Sequence, residues 1–116
     1  MTQPDRHDDA ERAVLGSILL VGELYPRVAK ILRTYHFASE QHRTIYAVMG
    51  GLWAKEVSPD FVTVTCELDH LRELDKAGGA AYITGLGDKV PDVENVMSYA
   101  SQVIEYYLER RFGVAE

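Results

Sequence analysis

The sequence predicts an all-α fold, and three observations carry that reading. Apolar residues recur at helical spacing in one segment after another, with no sustained alternation of period two. Capping residues such as Asp9 and Ser39 stand ahead of these segments, and Gly22 and Gly78-Gly79 punctuate them. The final two segments are joined only by Val90-Pro91-Asp92, a connection short enough to favour an antiparallel helical hairpin.

Residues 1–7 are polar and read as a frayed tail, after which Asp8 or Asp9 caps a first helix reaching about Leu20. Ala10, Ala13, Val14, Ser17, Ile18 and Val21 share one face, and Leu15, Leu19 and Leu20 widen it, so this helix is expected to be buried on more than one side. Gly16 costs such a helix roughly 1 kcal/mol relative to Ala. Its expected purpose is the close approach of another helix. Gly22 ends the segment, and Pro26 suits the first turn of a second helix that turns Val28, Ile31 and Leu32 inward.

Ser39 caps a third helix to about Ala54, with Ile45, Val48, Met49, Leu52 and Trp53 as its core stripe. The interior pair Gly50-Gly51 costs roughly 2 kcal/mol, which predicts a bend or loosening there. Beyond a turn at Pro59-Asp60, Thr63 is the expected cap of a fourth helix bearing Val64, Leu68, Leu71 and Leu74 inward. Cys66, the single cysteine, reads as a small buried apolar residue of that helix. The change of character at Gly78-Gly79 is the best internal boundary, with helices over about 80–88 and 93–112 beyond it.

On the last helix, Glu94, Asn95, Ser98, Ser101, Gln102, Glu105 and Glu109 fill an arc of roughly 120°. Apolar side chains cover about 200°, more than one neighbouring layer requires. Tyr99, Tyr106 and Tyr107, with Tyr82 nearby, add residues that bury area while keeping a hydroxyl at a wet rim. The excess predicts packing against a second copy of the chain.

Composition bounds the function. One domain fits 116 residues, and 47% hydrophobic with 26% charged residues is the balance of a folded globular chain. No apolar run approaches the roughly 20 residues that cross a bilayer, and the polar start lacks a secretory signal, so a cytoplasmic protein is expected. A net charge of −6, with scattered basic residues, argues against a principal nucleic-acid contact. Arg110-Arg111 reads as complementing a helix dipole.

Neither cofactor nor metal is expected. His7, His36, His42 and His70 lack the i, i+4 spacing of a metal pair, and His42 near a helix start is expected to make a local hydrogen bond. The acidic group Asp5, Asp8, Asp9 and Glu11 lacks the spacing of a calcium loop. Gly78-Gly79 and Gly85-x-Gly87 lack the Lys-Ser/Thr and preceding strand of a phosphate loop. Nothing supports nucleophilic or acid–base catalysis.

Five blocks stand in fixed order along the chain: Glu11 with Ala13-Val14-Leu15-Gly16; His42-Arg43-x-Ile45-Tyr46; Asp60-x-Val62-Thr63-Val64; Gly78-Gly79-x-x-Tyr82-Ile83; and Val90-Pro91-x-x-x-Asn95-Val96-x-x-Tyr99-Ala100. In this order they resemble the N-terminal domain of the DnaB-type hexameric replicative helicases, over about residues 8–111. The resemblance implies a tail over 1–8, a small orthogonal helical bundle or head over 9–76, and an antiparallel helical hairpin over 78–116. It also implies no enzymatic activity here, the ATP-driven motor of that family lying in a further domain.

In that family the hairpins pair between subunits, three dimers form a collar on the helicase ring, and the collar binds primase. By position, Tyr82, Ile83, Val96, Tyr99, Val103, Ile104 and Tyr107 match the dimer-forming hairpin. Expected partners are therefore a second copy of the chain and primase, with a helicase loader also admitted. Primase-contacting positions form no transferable motif. The chain departs from the family at Gly50-Gly51, where helix-formers are usual, and at Cys66, where a glutamate would complete a capping box with Thr63. Two other classes remain open: the helicase-binding domain of a primase, and a helix-turn-helix regulator, which calls for a basic recognition helix.

Overall fold

Helix formation follows the apolar spacing closely in the computed structural model, which describes residues 4–113. The helices are α1 (Pro4–Leu20), α2 (Tyr25–Ala29), α3 (Glu40–Ala54), α4 (Phe61–His70), α5 (Ala80–Asp88) and α6 (Val96–Phe112). Single 3-10 turns at Gly22–Leu24, Thr34–His36 and Val93–Asn95 lie between them. Among the described residues there is no strand.

The first helix organises the rest. Val14, Leu15 and Ile18 are fully buried, and α1 packs against α3, α5 and α6 at once. The close approach expected of Gly16 is there: a Cβ at this position would fall on the Leu86 carbonyl of α5 and within 2.6 Å of a Val90 methyl. Gly87, further along α5, approaches Leu20 at the end of α1, so α5 packs on the C-terminal part of α1. In contrast, α6 runs against it, with the ring of His7 stacked on Tyr106 at 4.1 Å.

Both members of the expected hairpin therefore have their principal neighbour in α1 rather than in each other. One apolar cluster is continuous from Val14 and Leu15 through Ile45 and Met49 of α3 and Val64 and Leu68 of α4 to Ile83 of α5 and Val103 of α6. Short connections bring chain neighbours together, but burial decides which faces meet.

Several local expectations are corrected. The tail expected over 1–8 is helical from Pro4 onward, while residues 1–3 lie outside the described residues. Proline opens a helix without wasting an amide, Arg12 pairs with Asp8 and Asp9 at 3.0 Å each, and the His7–Tyr106 stack ties this early turn to α6. Neither Asp8 nor Asp9 is the cap.

Asp60, not Thr63, caps α4. Its carboxylate accepts the Thr63 amide at 2.8 Å, and the Thr63 hydroxyl accepts the Asp60 amide at 2.8 Å, a reciprocal box one turn ahead of the expected one. The box is thus present without a glutamate at position 66. Cys66 lies on the face opposite the buried Val64 and Leu68 and is exposed, and Leu71 falls beyond the helix end, 48% exposed. Helix α3 continues through Gly50-Gly51 without interruption. Gly50 has a packing reason, since a Cβ there would meet the Tyr25 hydroxyl at 2.7 Å, whereas Gly51 faces open space.

Candidate interaction surface

Three of the sequence blocks contribute one polar residue each to a single buried junction. Glu11 of α1, 2% exposed, points its carboxylate at the start of α3. There it accepts the Ala38 amide at 2.6 Å and the Ser39 amide at 3.4 Å, and its Oε1 lies 2.7 Å from Nδ1 of His42. Nε2 of His42 lies 2.6 Å from the hydroxyl of Tyr82 on α5. Both ring nitrogens of His42 are thereby partnered, one by the carboxylate and one by the phenol.

Burial, together with the nearby Asp8 and Glu11 carboxylates, pushes the Tyr82 phenol up to about 12, although Arg12 opposes the rise. His42 was expected to bond locally; instead it joins α1 to α5 through the first turn of α3. Gly78 and Gly79 make the approach of α5 feasible, at φ 103° and 89°, in the region that only glycine adopts without strain. A Cβ on Gly78 would also strike the Tyr82 ring at 2.8 Å. Arg43 donates to the carbonyls of Phe37 and Ala38 at 2.9 and 2.8 Å, fixing the same turn.

The polar side chains of this junction are partnered with one another and with the turn before α3, so its role is architectural. Among the described residues no group of three or more His, Cys, Asp or Glu could hold a metal ion. No helix there is long and apolar enough to cross a membrane.

The residues expected at a dimer contact are divided by the fold. Ile83, Val96 and Val103 are enclosed by the chain's own core, at 1% exposure or less. Tyr82 belongs to the junction. The hydroxyl of Tyr99 accepts the Asp92 amide at 3.2 Å, which ties α6 to its own preceding turn. Tyr107 packs edge-on to His36 with ring centroids 4.9 Å apart. Ile104 is half-buried and packs against the edge of the core.

Met97, Ile104, Leu108 and Phe112 occupy about 80° of the α6 circumference, beside the narrow buried stripe of Val96, Ala100 and Val103. Leu108 is 41% and Phe112 67% exposed, and Met97 and Ile104 are half-buried. With Ser101 the stripe reads Met97-x3-Ser101-x2-Ile104-x3-Leu108, the alternating four-three spacing of a helix seam. That spacing was visible in the sequence, but the tyrosines drew attention to the opposite flank.

An all-helical domain whose polar junction is held between its own helices, and which exposes large apolar side chains such as Leu108 and Phe112 on α6, belongs to the class of protein-interaction modules. Residues 3–105 match the family described as the DnaB-like helicase N-terminal domain, and the chain belongs to that family. The replicative DNA helicase DnaB of Leifsonia xyli is 36% identical over 102 residues, covering 88% of this chain and 22% of that protein. The replicative DNA helicase DnaC of Bacillus subtilis is 34% identical over 108 residues, covering 93% and 24%. This chain thus spans about a quarter of the length of the curated relatives it matches.

A crystal structure of the N-terminal domain of DnaB helicase from Mycobacterium tuberculosis superposes with a TM-score of 0.87 at 36% identity, covering 90% of this chain and 76% of that one. A DnaB-like replicative helicase, solved in a study of its interactions with primase, superposes at 0.80 with 33% identity, covering 90% and 24%. Of the readings the sequence left open, these relatives bear out the helicase one. The chain is a DnaB-like helicase N-terminal domain.

Proposed function

We propose that this domain serves as a collar element of its helicase, pairing with a second copy and offering primase a docking platform, so that unwinding and primer synthesis stay together. The observation that carries the pairing is the α6 stripe Met97, Ile104, Leu108 and Phe112, of which the last two are exposed and the first two half-buried. Exposed side chains at seam spacing gain apolar burial when a like helix lies along them. The dimerising region of this reading remains 78–116, but its contact surface is the outer stripe of α6 and not the tyrosine flank. Three such dimers would make up the ring's collar. ATP-driven unwinding is assigned to the part of the relatives that this chain does not span.

The primase partner is inferred from the relative whose solved structure concerns its interactions with primase. A loader is a further candidate for the same platform. Sedimentation velocity across a concentration series tests the pairing. A concentration-dependent dimer is expected, and Ile104→Glu with Leu108→Glu should return it to monomer with unchanged helicity, because the new charges would be buried at the contact. A monomer at every concentration would exclude the pairing. Co-sedimentation with the cognate primase tests the second role separately.

A further inference from the structure

The chain carries 18 acidic and 12 basic residues, yet its arginines are not evenly spread. Where the end of α6 meets the turn before α3, a groove of about 330 Å³ is lined by Tyr35, Phe37, Arg43, Tyr107, Arg110 and Arg111. Arg43 is anchored on the Phe37 and Ala38 carbonyls, and Arg110 donates to the His36 carbonyl at 2.9 Å. Among the described residues, the ion pairs of Lys and Arg involve Arg12, Lys55 and Lys76, and none of the groove arginines. Backbone carbonyls therefore hold two of the guanidiniums in place without cancelling their charge.

Tyr35 stands beside them, 60% exposed. One side of its ring is backed by His36, with centroids 4.5 Å apart, and by Tyr107 at 5.6 Å. Arg110 in turn lies 5.9 Å from the Tyr107 ring centroid. An aromatic ring supported from within and open outward, flanked by uncompensated guanidiniums, is a stacking platform with an anion track beside it.

We infer that this groove binds single-stranded nucleic acid, with one base on Tyr35 and successive phosphates on Arg43, Arg110 and Arg111. An acidic peptide would satisfy the guanidiniums but would offer no flat face to the open tyrosine. A duplex keeps its bases stacked on one another and cannot supply that face either. The acidic remainder of the domain makes the contact weak and non-specific, about 10⁻⁴ to 10⁻⁶ M at physiological salt. This revises the reading of Arg110-Arg111 as helix-dipole partners alone, and the groove adjoins the Ile104–Leu108 stripe through Arg111, one turn beyond Leu108.

Fluorescence anisotropy of a labelled oligothymidylate of about 12 nucleotides, titrated with the protein over a salt series, tests it. Three phosphate contacts predict a slope of about −2 in log K against log salt. Tyr35→Ala should weaken binding at least about fivefold through the lost stack. Arg111→Ala should make the slope shallower by about 0.7, and it carries the test by itself if Tyr35→Ala melts early. No binding at about 50 mM salt would overturn the inference. So would competition by a duplex or a polyglutamate peptide as effective as the oligonucleotide itself, or a salt slope unchanged by Arg111→Ala.

Discussion

His42 and Tyr82 are 40 residues apart in sequence, yet Nε2 of one lies 2.6 Å from the hydroxyl of the other, inside a histidine with no solvent exposure. The bond closes a path from Glu11 on α1 through α3 to α5, so three helices are registered by one polar chain. Tyr82→Phe removes the hydroxyl and leaves the buried Nε2 without a partner, at an expected cost of about 1–3 kcal/mol. Glu11→Ala strands the Ala38 and Ser39 amides and His42 Nδ1 together, and should cost more, about 3 kcal/mol or above. Urea unfolding of both variants measures this order. A Tyr82→Phe protein as stable as the parent would mean the junction is incidental.

Glycines in α1 and α3 should respond with opposite signs. Gly16→Ala gains about 1 kcal/mol of helix propensity, but its methyl would collide with the Leu86 carbonyl and the Val90 side chain. Overpacking against backbone costs about 1–3 kcal/mol, so the net change is destabilising. Gly51→Ala meets nothing within 4 Å and should stabilise by up to about 1 kcal/mol. Thermal melts of the two proteins, compared side by side, check the reversal.

The Gly16 contact was readable in advance because a glycine inside an otherwise apolar helix has few other purposes. Ser39 as the cap of α3 and the span of α5 were equally readable, since caps, breakers and periodicity act within a few residues. The Glu11–His42–Tyr82 junction was not. Each residue is individually compatible with a surface or local role, and only the packing of three helices reveals that the polar groups face one another. The width of the apolar arc on α6 was likewise legible, but not its division between α1 and open solvent. Helix periodicity says how much surface a helix must hide and leaves open which neighbour hides it.

The capping box at Asp60 and the exposure of Cys66 can each be checked at the bench. With Asp60 and Thr63 exchanging bonds, Asp60→Ala should cost about 1 kcal/mol, because the Thr63 amide loses its acceptor. Cys66→Ser should change stability by less than about 0.5 kcal/mol, as expected of an exposed position away from any contact. Native-state labelling of Cys66 by a thiol reagent should go to completion without denaturant. A thiol that reacts only after unfolding would make Cys66 the buried residue expected from sequence.

Acid sensitivity should centre on His36, whose affinity for protons is lowered chiefly by burial, with Arg33 and Arg110 adding repulsion. Its Nδ1 accepts the Arg33 amide at 2.8 Å, a bond available only to the unprotonated nitrogen. The folded protein therefore binds this proton less readily than the unfolded chain, whose histidine titrates near 6.5. Stability from this site is complete above pH 6.5 and is lost as pH falls from there towards the lower folded value. His36→Asn keeps a side-chain acceptor for the Arg33 amide but cannot titrate, so the difference in unfolding free energy between parent and variant should shift against the parent between about pH 7 and pH 5. A difference that stays constant across that range would show that His36 gains or loses no proton on folding. Loss of stability in both proteins alike would instead assign the acid sensitivity to the carboxylates and the remaining histidines.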